Sequence, residues 1–361
     1  YFNLIIDNDA QVATCGVAVP LHGNLTIGRL SNPGNLTLNT IGTGVTHLTL
    51  GGNFELIDGI FIPGDGDHTV AGTWAESGGT TFEATAGKFT FTGHTKTITT
   101  DAAGGNKFFN LFINPGAGNT VNAGSELDID GELQVTDGTL AMAGNSADVA
   151  GITDIDGTLS QSTGSIFTAN GNIEIDASGL LSLTTGTFTA NQITDIDGTL
   201  SLTTGTFTAN GLTDVDGTLS IEGTGTFTAN GEFDANLGNV TFTAGQAGNL
   251  TLKGAVTSLG TFTSNSAGTV TYNGTAAQDM PGTPTYNNLI INNTFASSED
   301  AVNLTGNPIV DGTLSFTSGC INTGGNNLTI SENGLAVVGA TDGAHINGNC
   351  SKIYNNLGAE A

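Results

Sequence analysis

Gly151-Ile152-Thr153-Asp154-Ile155-Asp156-Gly157-Thr158-Leu159 is written again as Ile193-Thr194-Asp195-Ile196-Asp197-Gly198-Thr199-Leu200. It is written once more as Leu212-Thr213-Asp214-Val215-Asp216-Gly217-Thr218-Leu219. A second phrase follows each copy, as in Thr206-Phe207-Thr208-Ala209-Asn210. The phenylalanines of that phrase, Phe167, Phe188, Phe207 and Phe227, stand 21, 19 and 20 residues apart. Two-residue alternation inside a repeat of this length means short strands, one rung per repeat, stacked on their neighbours. The expected fold is all-β: a single elongated β-solenoid, or β-helix, with rungs of about 20 residues.

Alternation also assigns side-chain directions. Ile155, Gly157 and Leu159 point inward, while Asp154, Asp156 and Thr158 point out. Phe207 and Ala209 point inward, and Thr206 and Thr208 out. Rungs about 4.8 Å apart turn equivalent residues into columns. One is a phenylalanine column inside the stack. Another is a column of Asn170, Asn191, Asn210 and Asn230 at a turn, where Asn tolerates the left-handed backbone and bonds its neighbour one rung on.

Longer repeats enclose this run. Tyr1-Phe2-Asn3-Leu4-Ile5-Ile6 returns as Phe108-Phe109-Asn110-Leu111-Phe112-Ile113-Asn114 and as Tyr286-Asn287-Asn288-Leu289-Ile290-Ile291-Asn292. Lys88-Phe89-Thr90-Phe91-Thr92-Gly93 precedes the second copy, and Thr269-Val270-Thr271-Tyr272-Asn273-Gly274 the third. Three modules follow: 1–107, 108–285 with regular rungs inserted over 151–245, and an incomplete 286–361. These phrases, with Asp311-Gly312-Thr313-Leu314-Ser315-Phe316 and Gly324-Gly325-Asn326-Asn327-Leu328-Thr329-Ile330, resemble repeat modules of large secreted bacterial surface proteins of the Bacteroidota type. The resemblance implies an extracellular, adhesin-like or scaffolding repeat protein at the cell surface and brings no catalytic residues. It also implies that Tyr1 and Ala361 are not the ends of the encoded protein.

Composition narrows the partners. Six Lys and Arg against 33 Asp and Glu give a net charge of −27. Binding nucleic acid requires clustered cations, and anionic membrane surfaces repel such a chain. The chain has no run of 18 apolar residues, so no helical membrane insertion is expected. No signal peptide stands at the front, and strand-like residues begin at Tyr1, as in a mature or trimmed product. Three cysteines, Cys15, Cys320 and Cys350, show no metal spacing; Cys320 and Cys350 form a candidate disulfide if their rungs adjoin.

The outward acidic pairs Asp154/Asp156, Glu174/Asp176, Asp195/Asp197 and Asp214/Asp216, with Asp234 beyond, form two expected columns. Like charges 4.8 Å apart repel by about 0.9 kcal/mol in water and about 3.5 at an effective dielectric of 20. Such columns splay into solvent, take up protons, or hold cations, and an oxygen-only set suits Ca²⁺. Calcium is therefore the one candidate cofactor, weighed against a solvated acidic face. Thr187/Thr189, Thr206/Thr208, Thr226/Thr228, Thr241/Thr243 and Thr261/Thr263 form an expected flat hydroxyl array. It fits lateral packing between filaments, ice binding, or plain strand propensity. The histidines His22, His47, His68, His94 and His345 lack ligand spacing, and His68 reads as part of a Gly-rich loop. No catalytic constellation is visible. Polysaccharide-active solenoids use carboxylates, but with basic or aromatic subsites that this acidic face lacks.

The expected function is therefore structural: a secreted building block of a fibre, sheath or adhesin stalk. Its partners are copies of itself, head to tail or side by side. The assembly element is Tyr1, Phe2, Asn3, Leu4, Ile5 and Ile6, an apolar strand with no cap. The alternative is a surface adhesin that binds glycans or Ca²⁺-bridged partners without polymerising.

Overall fold

The computed structural model describes residues 3–7, 12–15, 19–28, 34–38, 47–243, 245–264, 267–296, 298–334 and 336–354. Short parallel strands, three to a rung, wind into the expected β-solenoid. The chain divides into two compact units, Tyr1–Ser182 and Leu183–Ala361.

In the first unit three walls enclose the core. The first wall stacks Leu4–Ile6, Leu25–Ile27, Phe54–Leu56, Trp74–Glu76 and Lys96–Thr99 in parallel register. The second runs Asp67–Val70, Lys88–Thr92, Asn110–Asn114, Leu133–Val135, Thr153–Ile155 and Ile173–Ile175. The third holds Gly34–Leu38, Gly59–Ile62 and Thr81–Phe82, then Leu127–Ile129, Ala147–Val149 and Ile166–Ala169. Single bridges, Glu83 to Lys107 and Phe108 to Ile129, join its two groups. The module border after residue 107 is thus no structural break. The phrase Lys88–Thr92 lies directly against Asn110–Asn114, residue for residue.

Inward positions are apolar because every second residue of a strand faces the axis. Aromatic rings fill part of the interior: Phe54 stacks on Trp74 at 3.8 Å, with Phe61, Phe82, Phe89 and Phe108 around them. Each such ring contributes roughly 1.5–3 kcal/mol by burial. Glu76 is also inside. It accepts hydrogen bonds from Trp74 Nε1 at 2.7 Å, and from the Asp101 N–H and Asn106 Nδ2 at 2.9 Å each. Three donors satisfy the carboxylate, although burial still raises its pKa.

In the second unit one wall is unbroken from Thr187–Ala190 through Thr206–Ala209, Thr226–Ala229, Asn249–Leu252, Thr269–Tyr272, Asn288–Asn292 and Thr313–Ser318 to Ala336–Val338. Phe188, Phe207 and Phe227 stand one above another, centroids 5.0 and 5.2 Å apart, with their ring planes nearly parallel. The asparagine column is present beside them. Asn210 Nδ2 donates to Asn191 Oδ1 at 2.8 Å, and Asn230 Nδ2 to Asn210 Oδ1 at 2.6 Å, steps of 19 and 20 residues. The other two walls end at Val256–Ser258 and Thr261–Thr263. New ones begin at Gln278–Met280 and Thr285–Tyr286. The third module's recurring phrase crosses this change on the continuous wall, where Asn288 registers against Thr269.

Three expectations need correction. His68 is no loop residue: it lies in strand Asp67–Val70, buried, its ring 4.5 Å from that of Phe89. Alternation from Val70 puts it inward. Thr241 and Thr261/Thr263 do not extend the Thr-x-Thr array. They stand on another wall, in strands Asn239–Phe242 and Thr261–Thr263, because the chain turns a corner between each such phrase. Cys320 and Cys350 are not bridged; both are free. Cys350 registers against Leu328, while Cys320 Sγ lies 3.4 Å from His345 Nδ1, so the two thiols belong to different walls. Cys15 ends strand Val12–Cys15.

Candidate functional site

The acidic columns form as register dictates. In the first unit Asp154 sits between Gln134 and Glu174. In the second, Asp214 sits between Asp195 and Asp234. These strands bury Thr153, Ile155, Thr194, Ile196, Thr213 and Val215, which leaves the intervening Asp154, Asp195 and Asp214 on the outer face. Asp156, Asp176, Asp197 and Asp216 follow at the strand ends, the last three exposed.

Asp154, Asp156 and Asp176 come closest: one carboxylate oxygen from each lies within 4.8 Å of the others. Gln134 Nε2 donates to Asp154 Oδ2 at 2.7 Å. Near them the first unit offers no Lys or Arg nearer in sequence than Lys107. Partial burial, a shared hydrogen bond with Asp176, and the charges of Asp154 and Asp176 push the Asp156 carboxyl up to about 6. Asp154 is raised by burial as well, against the Gln134 hydrogen bond, and Asp214 by burial and its acidic neighbours. Three oxygen donors at this spacing can share a proton or help coordinate a hard divalent cation. Glu174, Asp195, Asp197, Asp214 and Asp216 are not among the carboxylates gathered at that spacing.

Outward hydroxyls form the second feature. Thr187, Thr206 and Thr226 make one column; Thr189, Thr208, Thr228, Thr251 and Thr271 make the adjacent one. The pair narrows where Asn249 replaces Thr and ends where Ile290 follows Thr271.

The assembly element is partly described: Tyr1 and Phe2 lie outside the described residues. Leu4, Ile5 and Ile6 register against Leu25, Thr26 and Ile27, and Ile5 is 51% exposed. Asn3 Oδ1 accepts the Asn24 N–H, Asn24 Oδ1 the Asn53 N–H, and Asn53 Oδ1 the Thr73 N–H. This second asparagine column had a legible signal: Asn precedes the strand in Asn3-Leu4, Asn24-Leu25 and Asn53-Phe54. Among the described residues, Leu4–Ile6 has a strand neighbour on one side only, as has Ala336–Val338, where Val337 and Val338 are exposed.

Sequence reasoning missed two groups. Thr153, Thr194 and Thr213 bury hydroxyls that find no partner. Their phase with the inward Ile155, Ile196 and Val215 signals the direction. The second is a cavity of about 430 Å³ at the change of walls, lined by Ser258, Phe262, Ser264, Pro281, Thr283 and Thr285 among others. Its signal is Met280-Pro281-Gly282-Thr283-Pro284, whose two prolines cannot donate to a ladder.

No protein-family model, no curated protein and no solved structure matches this chain.

Proposed function

We propose that this chain is a structural segment of a secreted or cell-surface assembly, a fibre, sheath or adhesin stalk in which copies join end to end. The observation that carries this reading is the rung-on-rung identity of Thr206–Ala209 and Thr226–Ala229, which register residue for residue with like on like. One edge of such a rung fits the opposite edge of its own repeat, a heterologous match. Head-to-tail contacts of that kind continue into a filament. Among the described residues, Leu4–Ile6 and Ala336–Val338 each have a strand neighbour on one side only, which offers the backbone groups such a contact uses. The resemblance to bacterial surface-protein repeats supports the extracellular setting. The test is negative-stain microscopy and light scattering of purified protein. Fibres are expected, and their loss on deleting residues 1–6. Monodisperse monomers across salt and calcium concentrations would overturn the reading.

The Asp154, Asp156 and Asp176 cluster favours a second reading, a surface adhesin whose contacts Ca²⁺ bridges. Isothermal calorimetry with millimolar CaCl₂ is then expected to show saturable heat that Asp156→Asn removes. No heat, with no rise in melting temperature, ends this reading. A glycan array on the same protein distinguishes a sugar-binding adhesin from a purely structural one.

A further inference from the structure

Among the described residues, the change of walls in the second unit leaves two strand edges without neighbours. Thr261–Thr263 is the last strand of its sheet, and Thr285–Tyr286 is the first of another. In a parallel ladder the N–H and C=O of one residue bond to one side, and those of the next residue to the other. Thr261 donates to the Gly238 carbonyl at 2.9 Å, so the N–H and C=O of Phe262 point away, toward the missing strand. Across the gap, the carbonyls of Pro284 and Tyr286 accept from Ile309 and Asp311 on the far side. The N–H and C=O of Thr285 therefore point back into the gap. Two edges, each with a donor and an acceptor, face the cavity of about 430 Å³ between them.

The rest of this rung compensates for its interruption. Gln278, buried, donates through Nε2 to the Leu252 and Gly254 carbonyls at 3.1 and 2.7 Å and is held by Asn293 Nδ2 at 3.0 Å. No side chain does the same for Phe262 and Thr285 among the described residues. The cavity lining contains no charged residue, in a chain of net charge −27. Its interior side is the half-buried Phe262 ring, 5.5 Å from that of Tyr286, and its rim is hydroxyl-bearing: Ser258, Thr263, Thr283.

We infer that this gap is a strand-acceptor slot: it binds an extended, uncharged polypeptide segment that alternates hydroxyl and apolar side chains, as an added β-strand. Main-chain bonds to both edges supply the affinity, and the Phe262 side of the slot selects an apolar residue at alternate positions. The slot lies away from the terminal strands, so the inference stands or falls separately from end-to-end assembly.

The probe is a capped, fluorescein-labelled peptide Gly-Thr-Phe-Thr-Ala-Asn, which carries the Thr-Phe-Thr of Thr261–Thr263. It would be titrated with the intact chain by fluorescence anisotropy. Saturable binding is expected. Methylating the Phe amide nitrogen and one alternate amide should weaken it about tenfold by removing two ladder bonds. Thr283→Trp, at an exposed rim position, should weaken it to a similar degree without changing the circular dichroism or melting temperature. Absence of saturable binding up to about 1 mM, equal binding of the N-methylated peptide, or equal binding by T283W would each overturn the inference.

Discussion

At the scale of single residues, the titrating groups set opposite pH trends. The Asp156 carboxyl, raised from 3.8 to about 6, is costlier to ionise in the fold than in the unfolded chain. Its contribution is neutral below pH 3.8, becomes unfavourable as pH rises to about 6, and stays so above. Asp156→Asn should therefore raise the melting temperature at pH 7 and leave it unchanged at pH 3.5. Thermal scans of both proteins across that range check this; equal shifts at both pH values would show that the substitution acts through packing instead. His68 has the other sign. Its Nδ1 accepts the Leu48 N–H at 3.1 Å, so the proton sits on Nε2, and burial with nearby His47 lowers its pKa to about 4. Stability from this group is complete above pH 6.5 and is lost as pH falls toward 4. Alternation fixed the direction of Asp156, but its pKa depends on Asp176 one rung away. The inward His68 was legible from Val70 two residues on, and the surrounding Gly and Asp residues masked it.

Among the elements, the repeated strands carry the stability. Phe207 has a ring on each side, Phe188 at 5.0 Å and Phe227 at 5.2 Å, and no exposure to solvent. Phe207→Ala removes both contacts and leaves a cavity that a rigid ladder on either side cannot collapse. It should cost roughly 3–5 kcal/mol, read from denaturant unfolding. Phe262→Ala, at a half-buried position beside the slot, should cost clearly less; equal losses would mean that the stacked column has no special place in the fold. The regular rungs were readable because one phrase fixes one rung: the Phe and Asn columns, and the acidic register within each unit, follow from spacing alone. The Thr-x-Thr phrases show the limit. Thr226–Thr228 and Thr241 belong to different walls, since spacing does not tell which corner a turn makes when a rung changes length. The cavity was missed for a similar reason: Pro281 and Pro284 were visible, but a ladder edge exists only relative to its neighbours.

For the molecule as a whole, a net charge of −27 opposes association of copies, so the proposed assembly should require salt or cations to screen it. The uncharged surfaces are then the places where contact costs least: the Thr columns, the terminal strand Leu4–Ile6 and the slot beside Phe262. All of these exist only if residues one rung apart stand over one another. Disulfide trapping tests that directly. With Cys15, Cys320 and Cys350 replaced by Ser, Thr208→Cys/Thr228→Cys, at registered positions on adjacent strands, should oxidise to an intramolecular bridge in the folded protein. Thr208→Cys/Thr271→Cys, three strands apart on the same wall, should remain reduced. Failure of the first pair with bridging of the second would contradict the stacked columns and every reading built on them.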